Sequence, residues 1–181
     1  MLDLSSIENA DVLRGLTRED LAELGTIASE QEFKRKDRLF KRGEVANSLY
    51  IATRGRFALT VDVRSFDGNV EMAVEEQGAL DAFGWSSLVE PRTSIYSGYC
   101  TEDGAAVEFP RESLNALMTS NRRLGEELLR NLNELIGNRV RVLQQLWLDE
   151  VSRSTARVLH WSHSELTTQW SIAMTKPSTQ P

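Results

Sequence analysis

The chain is short of the residues that carry most enzyme chemistry. Of its 181 residues one is cysteine and two are histidine. Cys100 has no partner for an intrachain disulfide, which suits a reducing cytoplasm. His160 and His163, with Glu165 nearby, lie near the C-terminal end in a segment without a clear pattern, and no metal site is expected there. No P-loop, no nucleophile–base–acid pattern and no supported pair of catalytic carboxylates is present, so an enzyme is not expected. No segment approaches the roughly 20 apolar residues that cross a bilayer. The N-terminus has early acidic residues and no long apolar run, which does not make a signal peptide. Positive charge is in deficit as well. Lys and Arg number 21 against 27 Asp and Glu, and the net charge of -6 disfavours non-specific binding of nucleic acid. The expectation is a cytoplasmic chain of one ordinary domain, or one domain with an appendage, that does not associate with membranes.

Helical spacing opens the chain. Thr17 is a good N-cap with Asp20 placed for a capping box, and Leu21, Leu24, Ile27 and Ala28 follow at helical intervals. A short amphipathic segment over 7–13 precedes them. From residue 32 to 109 the period changes to two. Leu49 and Ile51 mark a short strand after a turn at Gly43-Glu44. Phe57, Leu59, Val61 and Val63 alternate along a half-buried strand, Asp67-Gly68 supplies a turn, and Val70, Met72 and Val74 alternate back, which is a hairpin. Short strands over 94–99 and 105–109 follow, with a turn at Asp103-Gly104 between them. Many short strands punctuated by glycine predict an antiparallel jelly-roll barrel. With its flanking helices the fold class is α+β.

After Pro110 the helical period returns. A short helix around Leu114 and Leu117 ends near Ser120-Asn121, and a long helix follows over 120–148. Leu128, Leu132, Leu135, Val142 and Leu146 lie on a heptad seam whose charged member is Arg139. Leu129, Ile136 and Leu143 form a second row beside it. The stripe is wider than one contact needs, so one row is expected to pack on the barrel while the other meets a second copy. The seam from Leu128 to Leu146, Arg139 included, is assigned as the homodimer interface. The organisation is then 1–119 for helices and β-roll, 120–148 for the long helix, and 149–181 for a short helical segment with Val151, Val158 and Leu159. The Ser/Thr/Pro-rich end of that last part, 176–181, reads as disordered.

One stretch has the layout of an anion cradle. Phe83-Gly84-Trp85-Ser86 begins it with a glycine turn and a helix start, and Pro91-Arg92-Thr93-Ser94 ends it with an arginine and two hydroxyls. A glycine lets backbone approach a ligand, helix-start amides point at an anion, and a guanidinium binds phosphate oxygens in a fixed fork. The ligand expected here is a small anionic molecule, and no cofactor is assigned with certainty.

Taken together, these features resemble the cyclic nucleotide-binding domain, most of all the sensor half of the CRP/FNR family of bacterial regulators. Phe40-Lys41-Arg42-Gly43-Glu44, Leu49-Tyr50-Ile51 and Gly55 are similar to the family's glycine-acid turn, aromatic strand and glycine turn. Asp81-Ala82-Phe83-Gly84 and Pro91-Arg92-Thr93-Ser94 resemble the two ends of its phosphate-binding cassette. The stretch 107–114, with Pro110-Arg111-Glu112, resembles the start of the helices after the barrel. The resemblance spans residues 13–147. It implies a cyclic nucleotide ligand with Gly84 against the ribose, Arg92 on the cyclic phosphate, and Thr93 and Ser94 assisting. It further implies a long helix that dimerises and caps the pocket. Three positions depart from the pattern. Trp85 stands where the family has an acid, Leu80 where a second glycine is usual, and the span from Gly84 to Arg92 is short. The cassette is therefore degenerate.

Several residues keep two readings. Arg92 is either an anion ligand or a structural arginine paired with Glu90. Trp85 is either a packing residue of the core or dimer, or a platform for a planar ligand. Arg139 contacts ligand, sets register or snorkels to solvent. Cys100 reads as a buried structural thiol. A cupin-like enzyme shares the jelly roll but needs histidines inside the barrel, and the sequence places none there. The resemblance also implies a winged helix-turn-helix after the long helix. Residues 151–159 resemble only its first helix, so nucleic-acid binding by this chain alone is not expected. The expected function is a dimeric sensor domain that signals through its long helix. The alternative is a ligand-free scaffold that dimerises and binds a signalling partner.

Overall fold

The computed structural model describes residues 1–65 and 68–157. The expectations for Asp67, His160, His163, Glu165 and residues 158–181 lie outside the described residues. After a 3₁₀ turn at Asp11–Leu13, helix α1 spans Arg18–Ile27 and begins with the expected capping box. The Asp20 amide donates to Thr17 Oγ1 at 3.2 Å, and the Thr17 amide donates to Asp20 Oδ2 at 2.7 Å. These bonds satisfy helix-start donors that would otherwise lack partners.

Six strands follow among the described residues: β1 (Ser29–Phe33), β2 (Arg38–Phe40), β3 (Ser48–Ser65), β4 (Gly68–Gln77), β5 (Ala82–Phe83) and β6 (Ser97–Pro110). They form an antiparallel sheet in the order β1-β6-β3-β4, with β2 also on β6 and β5 on β3. This arrangement is consistent with a jelly roll. The expected hairpin of β3 and β4 forms, with Val61 opposite Met72 and Val63 opposite Val70. Its outer half is exposed rather than half-buried, at Val63, Val70, Met72 and Val74.

Two strand readings need correction. Leu49-Ile51 and Phe57–Val63 are one strand, β3, and the glycine at 55 does not end it. The expected turn at Asp103-Gly104 is likewise the interior of β6. The two glycines face one another. Gly55 has φ 77, and a Cβ on it would lie 2.5 Å from the Gly104 Cα. Register shifts fall between Ala52 and Phe57, so the glycines absorb a bulge and the ladder continues past them.

Parts of β3 and β6 are buried on both faces. Leu49, Ile51, Val107 and Phe109 face a cluster that includes Leu24, Leu114, Leu124 and Leu128. Ala52, Phe57, Leu59, Phe83, Cys100 and Ala106 form a second cluster, with Phe40 and Tyr50 packed against it. Complete burial of each leucine in the first cluster contributes about 1.5–3 kcal/mol before entropy is counted.

Helix α2 spans Arg111–Ser120 and α3 spans Arg122–Arg157. Asn121 separates them and caps α3, its Oδ1 accepting from the Leu124 amide at 3.1 Å. α3 continues past 148, where a separate segment was expected, since no glycine or proline interrupts 138–157. The chain divides into two compact units, Met1–Leu135 and Ile136–Pro181. Residues 122–135 of α3 belong to the first unit and 136–157 to the second.

In the first unit α3 is tied to the N-terminal region. Asn131 is buried and donates to the Val12 and Arg14 carbonyls at 3.1 and 2.6 Å. The Asp20 carboxylate, 3% exposed, pairs with Arg123 and accepts from Asn121 Nδ2 at 3.2 Å. Burial opposes ionisation of Asp20. The bonds from Thr17 and Arg123 together outweigh it and hold the carboxyl below the usual range.

Asp20→Asn should cost about 1.5–3 kcal/mol in urea unfolding at neutral pH. Because the folded pKa is depressed, this stabilisation is present above the unfolded carboxyl value near 3.8 and is lost as pH falls through the folded value. The variant should therefore show a flatter acid limb than the parent. Identical limbs would contradict the pairing.

Candidate functional site

β5 delivers the chain to the cassette by pairing Phe83 with Tyr50 and Ala82 with Ile51. Gly84 follows at φ 77, where a Cβ would meet the Ser48 carbonyl at 2.7 Å and the Tyr50 ring at 3.0 Å. Only glycine fits this combination of backbone and neighbours. The helical segment after it is a single 3₁₀ turn, Trp85–Ser87. Ser87, fully buried, donates from Oγ to the Gly84 carbonyl at 2.9 Å and locks the turn.

The sequence candidates divide between core and surface. Phe83 is 0% exposed, stacked on Tyr50 at 5.5 Å and tilted against Phe57 at 5.3 Å. Its ring is core and offers no face to a ligand, which corrects its assignment as a binding residue. Trp85 is half-buried and packs, with Leu88, against the cluster that holds Leu124 and Leu128. Its contacts match the packing reading. Ser94 is also buried. Its amide donates to the Glu44 carbonyl at 2.9 Å and its carbonyl accepts from Gly43 at 2.8 Å. Thr93 bridges to Val45, so the end of the cassette is stitched to the turn after β2. Ser86 and Thr93 are half-buried.

Arg92 is the exposed cation of the site. Its φ is 60, a left-handed conformation that costs an L-residue about 1–2 kcal/mol. Its carbonyl accepts from the Ala46 amide at 2.8 Å. Its Nε donates to Glu90 Oε1 at 3.0 Å, with side-chain exposures of 46% and 75%. The guanidinium is therefore partly neutralised by its own loop.

A polar cluster beneath Gly84 was not singled out from the sequence. Ser48 Oγ donates to Glu108 Oε1 at 2.6 Å and Tyr50 OH donates to the same oxygen at 3.2 Å. Burial, reinforced by the Glu108 carboxylate, pushes the Tyr50 phenol up to about 12. The phenol stays a donor and holds its ring against Gly84. The signal in the sequence was the alternation Ser48-Leu49-Tyr50, in which Leu49 faces the helices and its neighbours face the other way. Cys100 is buried and donates to the Glu102 carbonyl at 3.0 Å, and burial raises its pKa. It matches the structural reading. Among the described residues no group of three His, Cys, Asp or Glu is placed to hold a metal.

The dimer candidates also separate. Leu128 and Leu132 are 1% and 2% exposed within the first unit, and Leu135 packs against the same core. Leu128 and Leu132 are thus covered by core within the first unit, while Leu135 is only partly covered there. In the second unit Val142 and Leu146 are 60% and 57% exposed, and Arg139 is half-buried. Val140, Leu143, Trp147 and Leu148 are exposed there too.

The sequence model of the cyclic nucleotide-binding domain matches residues 30–121. The N-terminal domain of a transcriptional regulator from Streptomyces coelicolor is similar, at 23% identity and a TM-score of 0.62, over 74% of this chain and 94% of that one. A CRP/FNR-family regulator, the Thermus thermophilus catabolite activator protein, matches at 25% identity and 0.64, over 78% and 63%. A cyclic nucleotide-binding domain from Methylobacillus flagellatus shares the fold at 18% identity and 0.70, over 82% of each chain. Glutaminase 1 of Bradyrhizobium diazoefficiens is 26% identical over 138 residues, which are 76% of this chain and 21% of that protein. The chain thus spans about a fifth of the length of this curated relative.

Difference absorbance titration of the parent against Tyr50→Phe should isolate one phenol ionising at about 12. The raised pKa means this stabilisation is complete below the ordinary tyrosine value of about 10 and declines as pH rises towards the folded value. Ionisation of that phenol at the ordinary value would show that Tyr50 and Glu108 are not in contact.

Proposed function

The chain belongs to the cyclic nucleotide-binding domain family, and on that premise we propose that it is a non-enzymatic cytoplasmic sensor whose cassette binds an anionic small molecule. The fold is one typical of regulatory sensor domains. The observation that carries the proposal is the shared core beneath the cassette. Trp85 and Leu88 pack into the same cluster as Leu124, Leu128 and Leu135 of α3. A ligand that moves the 84–92 loop therefore acts on the first half of α3 through contiguous packing, and occupancy shifts the population of α3 arrangements. Residues 1–119 carry the ligand response in this scheme and 120–148 transmit it.

Arg92 supplies the anion contact, with Thr93, Ser86 and the Gly84 backbone beside it. A cyclic nucleotide is the first candidate. The cassette is degenerate toward it, since Trp85 accepts no hydrogen bond from a ribose hydroxyl. Loss of a charged partner of that kind costs about 1.5–3 kcal/mol, or roughly ten- to hundredfold in affinity. The exposed apolar face of 140–148 supports association with a second copy, and a protein partner would read the resulting change. The Arg92–Glu90 pair favours a second reading, a ligand-free scaffold in which the arginine is structural.

A thermal-shift screen with cyclic nucleotides, linear nucleotides and other phosphorylated metabolites separates the two. Binding to the folded state must raise its melting temperature. Arg92→Ala should abolish the shift, and Glu90→Gln, which frees the guanidinium, should tighten binding about two- to fivefold. No shift with any compound at millimolar concentration would sink the sensor reading and leave the scaffold.

Leu146→Asp should give monomer mass by light scattering where the parent is a dimer. An unaltered oligomer would remove the second half of α3 from the interface.

A further inference from the structure

The most cation-rich stretch of this acidic chain lies outside the cassette. Residues 34–42 read Lys-Arg-Lys-Asp-Arg-Leu-Phe-Lys-Arg, six cations to one acid, in a chain of net charge -6. Two acids at this stretch, Asp37 and Asp103, are already engaged. Asp37 Oδ2 accepts from the Lys34 amide at 2.8 Å. Asp103 accepts from the Arg35 amide at 2.7 Å and pairs with the Lys34 ammonium at 3.1 Å. Lys34 is the one side chain neutralised by these contacts. Arg35, Lys36, Arg38, Lys41 and Arg42 are exposed and make no ion pair among the described residues. The arginines of β3 behave differently, Arg54 pairing with Glu32 at 2.6 Å and Arg56 with Glu76 at 3.6 Å.

The stretch is held along its length. The Lys36 amide donates to the Cys100 carbonyl at 2.7 Å, and the Cys100 amide donates to the Asp37 carbonyl at 2.9 Å. Arg38 and Phe40 pair with Tyr99 and Gly98 of β6, and the Arg42 amide donates to Ser97 Oγ at 3.1 Å. Lys36 sits at φ 81, a conformation lysine adopts at a cost. The backbone that carries the five cations is thus fixed before any partner arrives, which lowers the ordering cost of binding.

We propose that this stretch is a docking surface for a short acidic segment of another protein. Two observations select that partner over an extended polyanion. Exposed acids border the stretch, with Glu30 and Glu32 on β1, Glu44 after Gly43, and Glu102 on β6. A nucleic-acid backbone or an anionic bilayer carries charge continuously and would lay it over those acids. A short segment can keep its charges within these nine residues. In addition β2 pairs with β6 alone among the described strands, so its other edge is open to an added strand. Carboxylates on the added segment would alternate towards Arg38 and the flanking cations. This surface is independent of the cassette and of any ligand bound there.

Fluorescence anisotropy of a labelled oligo-glutamate peptide with the full chain tests the assignment. Saturable binding is expected, weakening with salt and falling at least about tenfold in Arg38→Glu/Lys41→Glu. Arg122→Glu, a reversal on exposed α3, should leave it unchanged. Lys41→Gln/Arg42→Gln serves in place of the double reversal if that variant loses its folded circular dichroism. Absent binding, binding indifferent to both double variants, or an equal loss in the α3 control would overturn the proposal. So would tighter binding of a short single-stranded DNA, or of phosphatidylserine vesicles, than of the peptide.

Discussion

The close pass of β3 over β6 at Gly55 and Gly104 is the constraint on which the rest of the structure depends. A Cβ on Gly104 would lie 2.4 Å from the Arg54 carbonyl, and one on Gly55 would reach Gly104 itself. Two backbones in contact let an irregular ladder run from Ser48 to Thr60 without opening. Because the ladder is unbroken, parts of both strands can be buried on two faces. One face then builds the helix-side core, with Leu49, Ile51, Val107 and Phe109, and the other builds the aromatic cluster around Phe83. The cassette sits where these cores meet. Phe83 belongs to one, Trp85 to the other, and Gly84 between them has nowhere to place a side chain.

This position explains how a surface loop can be both strained and ordered. Among the described residues, three other than glycine adopt left-handed backbone: Lys36, Leu80 and Arg92. Such conformations persist when their surroundings over-determine them. Arg92 is held by hydrogen bonds at its amide and its carbonyl, to Val89 and Ala46 at 2.8 Å each. Asp81 accepts from the Gly78 amide at 2.8 Å across the turn that contains Leu80. Lys36 is fixed by Cys100. A cation stands at two of these three positions although glycine would relieve the backbone, one in the cassette and one in the basic stretch.

What the sequence made legible is what local chemistry determines. The Thr17–Asp20 box could be read because donor and acceptor are three residues apart. The β3–β4 hairpin could be read because alternating residues flank one turn. The cassette was found from glycine and arginine spacing. Glycine misled at 55 and 104 for the same reason it helped elsewhere. Alone, each looks like a strand end, and only their juxtaposition makes a bulge. The Ser48–Tyr50–Glu108 cluster joins residues 58 and 60 apart in sequence, and no period connects them. Phe83 and Trp85 flank Gly84 in the cassette, and nothing in their order said that they enter different cores.

The long helix shows where periodicity stops being informative. A heptad records that Leu128, Leu132, Leu135, Val142 and Leu146 share a stripe. It does not record what covers that stripe. In the first unit the cover is intramolecular, since Asn131, Asp20 with Arg123, and Glu134 with Arg14 clamp α3 onto the N-terminal region. Those contacts use groups beside the stripe, and they require the stripe's first half to face inward. The polar anchors therefore decide the fate of the apolar residues, leaving Leu128 and Leu132 as core. From Ile136 onward the stripe runs through a separate unit, where Val142, Leu143 and Leu146 remain exposed.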